Sequence, residues 1–128
     1  MLDLLHKMIY NKCMRIAFSG HRDRIAASTT LEDVYKNYPD AIWVHGGAAG
    51  FDAQVEAFAK SHGIKTEVIQ PDYKTHGKSA PLMRNHTILR KSELLVACYD
   101  GRKSGGTYYT INLARKMELP IRFAGVQE

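Results

Sequence analysis

Three short stretches concentrate the residues able to meet an anion: Gly20-His21-Arg22-Asp23, Gly46-Gly47-Ala48-Ala49-Gly50-Phe51-Asp52, and Ser104-Gly105-Gly106-Thr107. Glycines let backbone approach a ligand closely, and a glycine-rich turn that opens a helix presents unpaired N–H groups at the positive end of the helix dipole. Gly20, Gly46, Gly47, Gly50, Gly105 and Gly106 are therefore assigned to phosphate or close backbone contact, with Thr107 as an added hydroxyl donor. The competing reading is that such glycines only make tight strand-to-helix turns. It weakens when both clusters and two arginines converge on one rim. Arg22 and Arg84 are candidates to neutralise an anion, since a guanidinium forks naturally onto phosphate. Asn85 suits a sugar, a base or the loop backbone. Asp52, at the start of a helix, is the candidate catalytic or sugar-contacting carboxylate, with Asp23 and Asp72 as weaker alternatives.

The same residues exclude other chemistries. The dinucleotide spacing G-x-G-x-x-G and the G-K-[ST] ending of a P-loop are both missing, which disfavours NAD and ATP-driven reactions. The six histidines form no H-E-x-x-H or comparable cluster, so neither a metal nor another resident cofactor is expected. Ser19 and Ser104 lack the G-x-S-x-G setting of a hydrolase nucleophile. A single-stranded nucleic-acid groove is a further reading, built from Lys74, Lys78, Arg84, Arg90, Lys91, Arg102 and Lys103 with Tyr73 and Tyr108 as stacking platforms.

Positioning these loops requires strands that end where helices begin. Apolar strand-like runs occur at residues 15–19, 41–45, 66–70, 94–99 and 121–124. Helical patterns lie between them, and this βα alternation predicts a parallel sheet covered on both faces. The first helix is expected near Thr29, with Thr29 and Glu32 at capping-box spacing. The second follows Gly50 and stops at Gly63; the third spans about 81–92 and the fourth about 107–118. With right-handed crossovers, outward winding of the first three strands and return of the fourth beside the first give the order 3-2-1-4-5. The reversal between strands one and four is where open α/β sheets bind ligands.

The chain has 128 residues, 45% hydrophobic and 24% charged, with a formal charge of +5. That suits one soluble α/β domain over 14–128 with anionic partners. The two cysteines are too few for a disulfide framework, so a reduced, cytoplasmic setting is expected. Residues 1–13 read as a short docking helix or an extension, too short to span a membrane. Self-association is left open.

Taken together, Gly20-His21-Arg22-Asp23, Val44-His45-Gly46-Gly47-Ala48-Ala49-Gly50-Phe51-Asp52, Pro71-Asp72-Tyr73, Arg84-Asn85 and Gly106-Thr107 resemble the YspA-like branch of the SLOG superfamily, which also holds DprA and the LOG phosphoribohydrolases. The resemblance implies a Rossmann-like fold, a nucleotide or nucleotide-derived small-molecule ligand, and a bacterial or phage setting. LOG enzymes cleave the N-glycosidic bond of nucleoside monophosphates with a glutamate three residues after the threonine of P-G-G-x-G-T-x-x-E. Thr110 stands at that place here. The resemblance therefore implies a binder first, with an N-glycosidic hydrolase and a DprA-like nucleic-acid protein as alternatives.

Overall fold

The computed structural model describes residues 14–127; the expectation for residues 1–13 lies outside them. Five parallel strands form one sheet: β1 (Arg15–Gly20), β2 (Ile42–His45), β3 (Thr66–Val68), β4 (Leu94–Cys98) and β5 (Ile121–Ala124). Their order is β3-β2-β1-β4-β5, as expected. Helices α1 (Ser28–Asn37), α2 (Phe51–His62), α4 (Ala80–Arg90) and α5 (Gly105–Lys116) connect them, with a short α3 (Tyr73–His76) and a 3-10 turn (Gly77–Ser79) before α4.

Strand side chains alternate between faces, and each face acquires its own core. Ile16, Phe18, Trp43, Val96 and Cys98 pack on one side with Leu31 and Val34 of α1 and Phe51, Val55 and Ala59 of α2. Ala17, Ile42, Val44, Leu95 and Ala97 face the other side, against Ile88 and Leu89 of α4 and Ile111 and Ala114 of α5. The three inner strands are thus apolar on successive residues over 16–18, 42–44 and 94–98 because both of their faces are covered there. The register aligns Gly20 with Cys98 at the carboxyl ends of β1 and β4, so the loops after these strands leave side by side at the point where the winding reverses.

Element boundaries depart from the sequence reading where tertiary contacts intervene. The capping box does not form: α1 starts at Ser28 after Ala27, with no side-chain cap. Instead Gln54 on α2 fixes the entering chain, accepting from the Ala26 N–H at 2.9 Å and donating to the Ala26 carbonyl at 2.6 Å. The 3-residue β3 is shorter than the run 66–70, although the Ile69 N–H still reaches the His45 carbonyl at 2.9 Å. The unforeseen α3 is capped by Asp72, which accepts from the Thr75 N–H at 3.1 Å. At the fourth helix, Gly105 and Gly106 are inside the first turn, so the helix begins two residues before Thr107.

Candidate functional site

The carboxyl ends of β1 and β4 open into a cleft of about 570 Å³, within the range of small-molecule sites. Its lining includes Gly20, Arg22, Gly46, Asp52, Arg84, Asn85, Gly105, Gly106 and Thr107. The structure thus brings nearly all the sequence-predicted residues together. Gly47 and Gly50 stand outside the lining.

The glycines differ in why they are glycines. A Cβ at Gly20 would lie 2.5 Å from Phe51 Cβ, so this residue lets β1 and α2 approach. Gly50 adopts φ 71°, and a Cβ there would lie 2.4 Å from the His21 carbonyl oxygen. Gly46 makes room for Arg84: a Cβ would sit 2.3 Å from Nη1 and 2.6 Å from Cζ. Among the glycines assigned to the site, Gly105, with φ 89° and open space where its Cβ would be, is the one that combines a backbone requirement with room for a ligand. It opens α5, whose first N–H groups have no intrahelical acceptor.

Arg84 is built into the site. Its Nη1 donates to the Gly46 carbonyl at 2.8 Å and its Nε to Asn85 Oδ1, also at 2.8 Å. Asn85 therefore orients the guanidinium. Burial lowers the Arg84 pKa against the pull of Asp52, and Arg22 adds to the lowering, which places both arginines and the aspartate in one field. Arg22 is exposed and makes no hydrogen bond or ion pair among the described residues, leaving its charge available at the cleft.

Asp52 is buried, 6% exposed, in the first turn of α2. Its Oδ2 accepts from the Gly46 and Ala48 N–H groups at 3.3 and 3.2 Å. Its Oδ1 is buried with no partner. Burial raises the Asp52 pKa, opposed by the Ala48 N–H, His45 and Arg84; loss of hydration outweighs the charge-stabilising contacts. Behind this loop, His45 Nδ1 accepts from the Gly47 N–H at 3.0 Å while Nε2 donates to Glu56 Oε1 at 2.7 Å. These two bonds fix the ring's tautomer and brace the turn that Asp52 caps.

A second network joins the loops after β1 and β4. Nε2 of buried His21 lies 3.2 Å from the Asp100 nitrogen and 3.1 Å from Asp100 Oδ1. Burial lowers the His21 pKa despite the Asp100 carboxylate, and Nε2 accepts the Asp100 N–H. Arg102, also in the lining, donates to Asp100 and to Asp23 Oδ1 at 3.2 Å. Asp23 lines the cleft already paired, and Asp72 caps α3 outside it. Sequence reasoning passed over His21 as a site residue and counted Arg102 only among the cations of the nucleic-acid groove. It treated Thr110 only as a position lacking glutamate, yet Thr110 lines the cleft, and its spacing from Thr107, Ile111 and Ala114 on the buried face of α5 was readable.

Among the described residues no group of His, Cys, Asp and Glu is arranged to hold a metal ion, and no helix is long and apolar enough to cross a membrane. Cys98 is buried in β4, where desolvation pushes its thiol up to about 11. It is a core residue with little thiolate character. The basic residues of the nucleic-acid reading are spread out: Arg84 and Arg102 are at the cleft, whereas Lys91, at the far end of α4, pairs with Glu67 at 3.3 Å.

Residues 14–76, which carry the first two glycine loops and Asp52, match the model of the YspA, cpYpsA-related SLOG family. The chain carries a YspA-like SLOG segment. The SLOG match supports nucleotide-related binding in general. It ends before α4, so Arg84, Asn85 and the Gly105–Thr107 turn complete the cleft from outside the matched SLOG residues. The chain is also 27% identical over 116 residues to the Gene 61 protein of Mycobacterium phage D29, covering 84% of this chain and 93% of the phage protein. That relative agrees with the bacterial or phage setting implied by SLOG resemblance. No solved structure gives a significant match.

Proposed function

We propose that the protein binds a nucleotide or nucleotide-derived phosphate compound in the cleft between β1 and β4. One observation carries this reading: the start of α5 at Gly105-Gly106-Thr107, the unpaired Arg22 and the braced Arg84 line the same cleft. A phosphate there meets free helical N–H groups, a hydroxyl and two guanidinium groups, the combination that favours anions at helix N-termini. In the neighbouring lining the exposed side chain of Leu82 offers apolar surface to a base. Calorimetric titration with the four common nucleoside 5′-monophosphates tests the reading. Binding is expected, and Arg22→Ala should weaken it about tenfold without lowering the melting temperature, because Arg22 holds no other element. Affinity that grows with oligonucleotide length and falls steeply with salt, with no mononucleotide binding, would transfer the protein to the nucleic-acid class.

A second reading, N-glycosidic hydrolysis, is favoured by the buried carboxylate of Asp52 beside the cleft, since an oxocarbenium-like transition state needs a negative charge nearby. In that case wild type releases free base from a nucleoside monophosphate, and Asp52→Asn lowers the rate about a hundredfold or more. Absence of release across ribo, deoxy and modified monophosphates leaves binding as the function.

A further inference from the structure

Among the described residues, three buried side-chain atoms have no hydrogen-bond partner: Trp43 Nε1, Asp52 Oδ1 and Thr110 Oγ1. Trp43 belongs to the core between the sheet, α1 and α2. The other two residues both line the cleft. Buried polar groups are rarely left unpaired, because desolvation without a compensating bond is costly. Thr110 is 2% exposed and does not make the usual bond from a helical threonine back to the preceding turn. Thr87 on α4 does so, donating to the Met83 carbonyl. Asp52 is on α2 and Thr110 on α5, helices on opposite faces of the sheet. They share a space only across the strand ends.

A carboxylate oxygen accepts and a threonine hydroxyl both donates and accepts. The ligand group matching this pair is a neutral hydroxyl, able to donate to Asp52 Oδ1 and accept from Thr110 Oγ1. A phosphate does not match, because it would be repelled by the Asp52 charge; Arg22, Arg84 and the α5 start are the complementary partners for it. The geometry points to Asp52 Oδ1 and Thr110 Oγ1 as one hydroxyl-recognition site, so that the cleft takes a sugar phosphate with its sugar hydroxyls turned inward. This assignment rests on the proposed phosphate-binding role and specifies its ligand class. A site built around buried hydroxyl partners rejects an analogue lacking the hydroxyl, since its own groups are then left unpaired.

The test compares ribose 5-phosphate with n-butyl phosphate, which keeps the phosphate and lacks hydroxyls, by calorimetry on the full chain. Wild type should prefer ribose 5-phosphate by about tenfold or more. Thr110→Val should reduce that preference to about threefold or less while leaving n-butyl phosphate binding unchanged, Asp52→Asn should reduce the preference likewise, and Thr110→Ser should retain it. Thr110→Val removes an unpaired hydroxyl, so its melting temperature should hold or rise, which separates ligand recognition from a structural role. Equal affinity of wild type for the two compounds would overturn the hydroxyl site and leave phosphate binding standing. So would a lower melting temperature of Thr110→Val with its preference intact. Failure of wild type to bind either phosphate compound, or any mononucleotide, would overturn the phosphate reading and the hydroxyl site with it.

Discussion

Gly46→Ala isolates the contact on which the anion site is built. The new Cβ would lie 2.3 Å from Arg84 Nη1 and 2.6 Å from Cζ, against ordinary contact at 3.4–4 Å, so the guanidinium must retreat by roughly 1 Å. The Nη1 bond to the Gly46 carbonyl, now 2.8 Å, would then be stretched beyond hydrogen-bond length. Loss of a bond from a charged donor costs about 1.5–3 kcal/mol when buried, and the half-buried position of Arg84 sets the expectation at the lower end, about 1.5 kcal/mol. The φ of Gly46 is not positive, so alanine otherwise suits this backbone. Its lower unfolded-state entropy favours folding by about 0.4–1 kcal/mol. A double-mutant cycle by urea unfolding therefore has a definite sign. Gly46→Ala should destabilise wild type by about 1 kcal/mol, and be neutral or stabilising when Arg84 is already alanine. Mononucleotide affinity should fall with the single substitution, because Arg84 is displaced. An equal cost in both backgrounds would refute the claim that Gly46 is glycine on account of Arg84.

Two pH-dependent outcomes follow from the buried and paired carboxylates. Burial raises the Asp52 pKa in the folded state above its ordinary 3.8, so the stability its protonated form supplies is complete below that ordinary value and lost as pH rises through the folded one; Asp52→Asn should accordingly be more stable than wild type at pH 7, with the gain shrinking towards pH 4 in urea titrations. Glu67 behaves oppositely: the Arg15 hydrogen bond, aided by Lys91, lowers it from 4.5 to about 2. Its contribution is present above 4.5 and disappears as pH falls through about 2, so Glu67→Gln should cost about 1 kcal/mol at pH 7 after allowance for solvent screening, with the cost shrinking steadily as pH falls from 4.5 towards 2.

The sheet was legible in the sequence because its causes are local and repetitive. Runs such as Leu94–Cys98 are apolar on successive residues, as a strand with two covered faces requires, and the intervening helical periods demand right-handed crossovers. With outward winding of the first three strands and return of the fourth beside the first, those constraints give the strand order and the meeting of the loops at the β1–β4 reversal. The convergence of Arg22, Asp52 and Gly105–Thr107 was readable for the same reason, since each follows a strand or opens a helix, and Arg84 lies within the first turns of α4. What each residue does there depended on neighbours distant in the chain. Gly20 answers to Phe51 and Gly46 to Arg84, because steric exclusion acts between surfaces that only folding brings together. The start of α1 is set by Gln54 rather than by its own capping box, since two bonds to the Ala26 backbone outweigh a local preference worth about 1 kcal/mol. The sequence marked Asp52 as a candidate carboxylate at a helix start and Thr110 only as the place where the LOG glutamate is missing. Tertiary burial alone removes water from Asp52 Oδ1 and Thr110 Oγ1 and leaves both without a partner at the same cleft, because desolvation depends on what surrounds an atom and not on the residue type that carries it.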